Sequence, residues 1–186
     1  MNKSKSPIRY FKEGRARKLP VIKCYVSKDW ETTKNANVIF IREHVTGHLT
    51  VGFYLVDLLC VGVKDSFFFF NKSPLEFDEK MGSRIYSDFK ECSYELAHNI
   101  VWAGVEFAGE FGIEPVKEFG ITKYILDEDD ENVTLIDIAT GDNGEPLLSL
   151  APNDPRKKYY IDCLNNTVGK GNYHYIVGVD DEFEVI

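Results

Sequence analysis

No cysteine in this chain has a second cysteine three positions away. Cys24, Cys60, Cys92 and Cys163 are scattered, so neither a zinc knuckle nor a disulfide framework is indicated, and buried free thiols in a reducing cytoplasm are expected, no secretory leader being recognisable. The longest apolar stretch, Leu49 to Phe70, is broken by Asp57, Lys64 and Asp65, and no membrane span is expected. A G-x-S-x-G elbow, an H-E-x-x-H helix and any internal repeat are all missing, which removes the common serine-hydrolase and zinc-protease signatures. Basic residues outweigh acidic ones at the N-terminal end, against an acidic remainder. Residues 1 to 23 carry Lys3, Lys5, Arg9, Lys12, Arg15, Arg17, Lys18 and Lys23 against Glu13 alone, or +7, so a total of −8 leaves −15 for the remainder.

What is present suits a folded domain. Hydrophobic residues make up 44% of 186 positions and aromatic residues 13%, enough for one well-buried core and too much for disorder. The organisation expected is a basic N-terminal arm over residues 1–20, a single domain over 21–178 and an acidic tail over 179–186. VIKCYV and NVIFIRE read as short strands, followed by a third beginning near Leu49, an antiparallel meander. YLVDLLCVGV is apolar on both faces and fits a covered central strand bent at Gly62, or a helix through Leu55, Leu58, Leu59 and Gly62; periodicity does not separate the two. SYELAHNIVWAGVEFAGEFGIEP is the clearest helix, with Ser93 as N-cap, Gly112 at its end and Pro115 beyond. A shorter helix is expected over 116–126, a β-hairpin around Asp142-Asn143-Gly144, a helix over about 155–165 and a last strand in YHYIVGV. The fold class is α+β, an antiparallel sheet made of the N-terminal meander and the C-terminal hairpin, packed by two or three helices.

Three places carry candidate chemistry. Asp57 and Asp65 near the sheet, with Glu95 or Glu106 on the helix and Asp137 in the hairpin, could hold Mg²⁺ for phosphodiester cleavage, an arrangement loosely similar to ribonuclease H-like nucleases. Mg²⁺ is the only cofactor suggested, and only under that reading; Asp137 alternates with Leu135 and Ala139 in its strand, and an ordinary solvent-facing role is the expected one for it. Glu95, His98 and Trp102 project from one helical face at spacings of three and four, fit either for a general base beside a stacking platform or for a surface packed under another element. Lys170 lies between Gly169 and Gly171, but an aromatic strand follows where a phosphate loop would lead into a helix. Asp57 sits among apolar residues, so it must be hydrogen-bonded or paired, either to backbone N–H groups or to a base such as Lys64.

GRARKLPVIKCYVSKDW, NVIFIREH, YLVDLLCVGVKDSFFFFN, AHNIVWAGVEFAGEFG, LIDIATGDNGEPLL and VGKGNYHY together resemble a group of bacterial hypothetical proteins marked by an LVDxxCxGVKD core and a VGxGNxxY motif. The chain differs from that pattern at Val61, where Leu is usual, and at Lys170, where Glu is usual. The resemblance implies no reaction, cofactor or catalytic residue. The function expected is macromolecular binding, to a protein or nucleic acid, through the basic arm with Arg15 and Arg17 and through Lys64, Trp102 and Lys170. A carboxylate nuclease using Asp57, Asp65 and Glu95, and a small-molecule or nucleotide binder with its pocket between the main helix and the sheet, are the alternatives.

Overall fold

The computed structural model of the chain describes residues 6–151 and 153–177. A short helix α1 (Pro7–Lys12) leads into β1 (Val21–Ser27), the one-turn α2 (Trp30–Thr33), β2 (Asn35–Glu43), β3 (Leu49–Asp57) and β4 (Gly62–Lys72). Helix α3 (Pro74–Asp88), strand β5 (Phe89–Cys92) and helix α4 (Tyr94–Glu110) follow. The chain continues through α5 (Phe119–Thr122), β6 (Leu147–Leu150), α6 (Lys157–Thr167) and β7 (His174–Val177). Five strands form one antiparallel sheet in the order β4-β3-β2-β1-β5, and β6 with β7 form a separate pair. The expected α+β class and antiparallel meander are present. Among the described residues no helix is long and apolar enough to cross a membrane.

The stretch Leu49 to Lys72 is neither one bent strand nor a helix. It is a hairpin, reversed at Leu58–Val61 between β3 and β4. The reversal is made by Asp57, whose Oδ1 accepts from the N–H groups of Leu59 at 2.9 Å and Cys60 at 3.0 Å, and by Gly62, whose φ of +67° suits glycine. An Asx-type turn does here what a Gly-Asn pair does in shorter loops.

Each sheet face meets a different helix. On one, Val26, Val38, Phe40, Tyr54 and Val56 pack against Ala97, Ile100 and Val101 of α4. On the other, Ile39, Ile41, Val51 and Phe53 pack against Phe77 and Ile85 of α3. Helix α3 starts from a capping box in which Ser73 and Glu76 exchange hydrogen bonds, with Pro74 in the first turn. Helix α4 begins at Ser93, as expected. It lies so close to the hairpin that a Cβ on Gly104 would stand 2.3 Å from Val56 Cγ1.

Three further expectations change. The helix expected over 116–126 is only the single turn Phe119–Thr122. The C-terminal hairpin is reduced to its turn: Asp142 pairs with Glu145 in one bridge, and β6 instead runs parallel to β7. The arm before it is held by a side chain rather than by a strand, because Asn99 accepts from Ile136 N–H at 3.1 Å and donates to Thr134 O at 2.9 Å. Residues 6–20, expected as an arm, pack on the body, with Phe11 and Ala16 buried beside Ile125, Phe68 and Phe70. The acidic tail 179–186, like residues 1–5, lies outside the described residues.

Candidate functional site

Side chains two apart on a strand share a face, so the four phenylalanines after Ser66 divide. Phe68 and Phe70 pack beside Phe11, while Phe67 and Phe69 join the face covered by α3. Register places Phe67, Phe53, Ile39 and Tyr25 side by side across β4, β3, β2 and β1, and Asp65, Leu55 and Asn37 in the next row. Helix α3 covers only part of this face. Toward the Asp65 row it leaves a cleft of about 560 Å³, walled by Met81, Arg84 and Asp88 of α3 and by Phe89, and floored by the sheet. That volume lies in the range of small-ligand sites.

The cleft floor is aromatic and its rim is acidic. Phe53 and Phe67 are stacked, centroids 4.4 Å apart and planes 11° from parallel, yet Phe67 remains 45% exposed. Asp29, Asp65 and Asp88 line the cleft against one cation, Arg84. A ring face beside carboxylates attracts cations twice, through its quadrupole and through charge. Only Asp65 of these rim groups was singled out from sequence. The alternation Phe67/Phe69 against Phe68/Phe70 was a readable signal for the floor, while Asp29, Arg84 and Asp88 come together only through the packing of α3.

Asp57 does not line the cleft beside α3. It is buried, its Oδ1 is engaged by the turn, and its Oδ2 lies 3.6 Å from Lys64 Nζ, which also donates to Asn35 Oδ1. Glu95 lines a different depression with Tyr94, Asp127, Glu128 and Asp130 at the start of α4. Asp57, Asp65 and Glu95 therefore sit in three separate settings, and among the described residues no group of three or more His, Cys, Asp or Glu side chains is placed to hold a metal ion. Asp137 and Glu106 are both exposed, and the Glu106 carboxyl is raised above the usual range by partial desolvation and by its hydrogen-bonded neighbour Asp129.

His98 is fully buried rather than displayed, because the chain from Leu126 to Ile138 folds over that side of α4. Its Nε2 lies 3.2 Å from the carbonyl oxygen of Asp127, and since a carbonyl only accepts, Nε2 carries a hydrogen and donates it. Tyr94 and Trp102 pack on either side. Trp102 also meets Phe119 edge-on, and its indole N–H is buried without a partner among the described residues.

The neighbouring network is structural in its connections. Buried Arg42 donates to the carbonyls of Ile125 at 2.7 Å, Arg17 at 3.0 Å and Leu19 at 2.7 Å, and to Asp127 at 3.0 Å. Tyr94 donates to the other Asp127 oxygen, and burial together with this carboxylate drives its hydroxyl pKa well above the usual tyrosine range. Arg17 donates to Leu126 O and Glu128, while Arg15 lies 4.4 Å over the Tyr10 ring. Both basic-arm candidates are thus occupied within the fold. Lys170 is exposed in the turn between α6 and β7, flanked by Gly169 and Gly171 at positive φ.

Two imidazole–hydroxyl pairs are close, His48 Nδ1 to Thr46 Oγ1 at 3.2 Å and His44 Nε2 to Thr50 Oγ1 at 2.7 Å. Thr50 is fully buried, so its hydroxyl does not meet a substrate, and Thr46 and His48 are near neighbours in the exposed β2–β3 turn. No protein family, curated protein or solved structure matches the chain.

Proposed function

We propose that this protein works by binding a protein partner, and that its contact surface is the part-open sheet face beside α3. The partner feature that fits is an arginine or lysine side chain: an apolar stem to lie on Phe67 and a cationic head to meet Asp29, Asp65 and Asp88. The observation that carries the reading is the stacked Phe53–Phe67 pair left open inside an acidic rim. Exposed aromatic surface among polar groups is the usual composition of recognition sites.

The same charges weigh against nucleic acid at this face, since phosphates would be repelled by three carboxylates. Recognition through the basic arm is less favoured, because Arg17 already serves main-chain carbonyls. In this reading the protein is cytoplasmic and has no catalytic step.

Fluorescence anisotropy with labelled arginine-rich and lysine-rich peptides tests it. Binding should weaken with added salt and fall at least tenfold in both Phe67→Ala and Asp65→Asn, while an acidic peptide of equal length stays unbound. Equal binding by wild type and both variants would remove this face from the function. Binding of a small cationic aromatic instead, with no peptide binding, would convert the reading to a small-molecule site.

A further inference from the structure

Cys24 of β1 and Cys92 of β5 stand directly opposite each other in antiparallel register. Opposed residues in such a pair put their side chains on the same face, and both cysteines pack into the core shared with α4. Both are free thiols, Cys24 buried and Cys92 partly exposed.

Ladder phase sets their spacing. Lys28 N–H donates to the Asp88 carbonyl at 2.9 Å, and the register leads from there in steps of two residues to Cys24 opposite Cys92. The cysteines therefore occupy a hydrogen-bonded pair, where opposed Cα atoms are about 5.5 Å apart. Disulfides bridge Cα atoms over roughly 4.4–6.8 Å, so the bond can form without moving the strands far. The Cβ atoms of such a pair are wider apart than the roughly 3.8 Å a relaxed disulfide prefers. A bond made here is strained and correspondingly easy to reduce.

We propose that Cys24 and Cys92 form a reversible thiol–disulfide modification site, oxidised by exchange with a small-molecule disulfide. The Cys92 thiolate, the more accessible, attacks one sulfur of that disulfide; its S–S bond breaks and one small thiolate leaves. Cys24 then loses its proton to solvent and attacks Cys92 Sγ, expelling the second small thiolate. The protein loses two thiol hydrogens as two protons and two electrons, and the small disulfide is reduced to two thiols.

Burial raises the Cys24 thiol to about 12, with the neighbouring Cys92 adding to the effect, and burial raises Cys92 to about 11. Exchange is therefore slow at neutral pH and accelerates with rising pH, as the thiolate fraction grows. The bond would tie the edge strand to the sheet. Because β5 continues directly from α3, it would also hold the α3 wall of the cleft.

The test is incubation of the folded full chain with oxidised glutathione at about pH 9, where thiolates are more abundant, followed by acid quench, intact mass and peptide mapping. Expected are a mass lower by two hydrogens, a linked peptide joining Cys24 to Cys92, and full reversal by dithiothreitol. Cys24→Ser should stop at a glutathione adduct on Cys92. A wild-type protein that keeps a stable adduct on Cys92, retains both thiols, or links either cysteine to Cys60 or Cys163 overturns the proposal. The wild-type masses decide this even where the variant folds poorly.

Discussion

Asp57→Ala removes a carboxylate that closes the β3–β4 turn. Its Oδ1 accepts from Leu59 N–H at 2.9 Å and Cys60 N–H at 3.0 Å, with Val61 N–H at a marginal 3.5 Å. Leu58 and Cys60 in the turn are fully buried, so water does not readily replace the lost acceptor. A buried donor left without a partner costs about 1–3 kcal/mol. Two such donors, with Lys64 losing its anion, give an expected loss of about 3–5 kcal/mol. Asp57→Asn keeps one acceptor oxygen and loses the charge, for about 1–2 kcal/mol. At this chain length each kcal/mol lowers Tm by about 2–4 °C, so the alanine variant should melt roughly 6–20 °C below wild type. Urea denaturation with an unchanged m-value is the assay. An alanine variant within about 1 kcal/mol of wild type, or an asparagine variant as damaged as alanine, refutes the turn-closing argument. Peptide binding per folded molecule should not change in either.

Gly104→Ala should destabilise by about 1–3 kcal/mol through overpacking despite alanine's better helix propensity, because the new Cβ would meet Val56 Cγ1 at 2.3 Å; a melting temperature at or above wild type would contradict the close approach. Arg42→Lys should cost about 2–4 kcal/mol in chemical denaturation, since one ammonium does not reproduce a fork serving three carbonyls and Asp127. Glu76 carries a pH prediction. Its hydrogen bond from Ser73 N–H, helped by Lys72, lowers its carboxyl to about 2, so its capping contribution is present above the unfolded value near about 4.3 and is lost as pH falls through the folded one. Exchange protection in the first turn of α3 should follow that course, and Glu76→Gln should flatten it.

Local signals decided how much was legible. The meander strands and α4 carry strong ones: β-branched runs, Ser93 at one end, Gly112 at the other. The hairpin inside Leu49–Lys72 was hidden because its turn, Leu58 to Val61, is apolar; it is a buried turn and uses an aspartate carboxylate where exposed turns use Gly and Asn. Helix α3 was legible in principle through Ser73-Pro74-Leu75-Glu76, a capping-box pattern with proline in the first turn. The Asp142-Asn143-Gly144 turn forms, but its leading arm finds Asn99 in place of a partner strand, a tertiary choice that local alternation does not encode. The cleft was the least accessible, because Asp29, Asp65 and Asp88 are far apart in sequence and meet only once α3 lies across the sheet.

Arg42 also bears on the order in which the molecule comes together. Its guanidinium is anchored by carbonyls from the beginning of the chain and by Ile125 and Asp127 from well past its middle. Until both segments arrive, water is the better partner for that charge, so the surrounding core cannot close early. Such long-range closure belongs to the late, entropically expensive part of folding. A nascent chain that has emerged only through α4 already carries Arg17 and Leu19 but lacks Ile125 and Asp127, two of the four partners of that guanidinium.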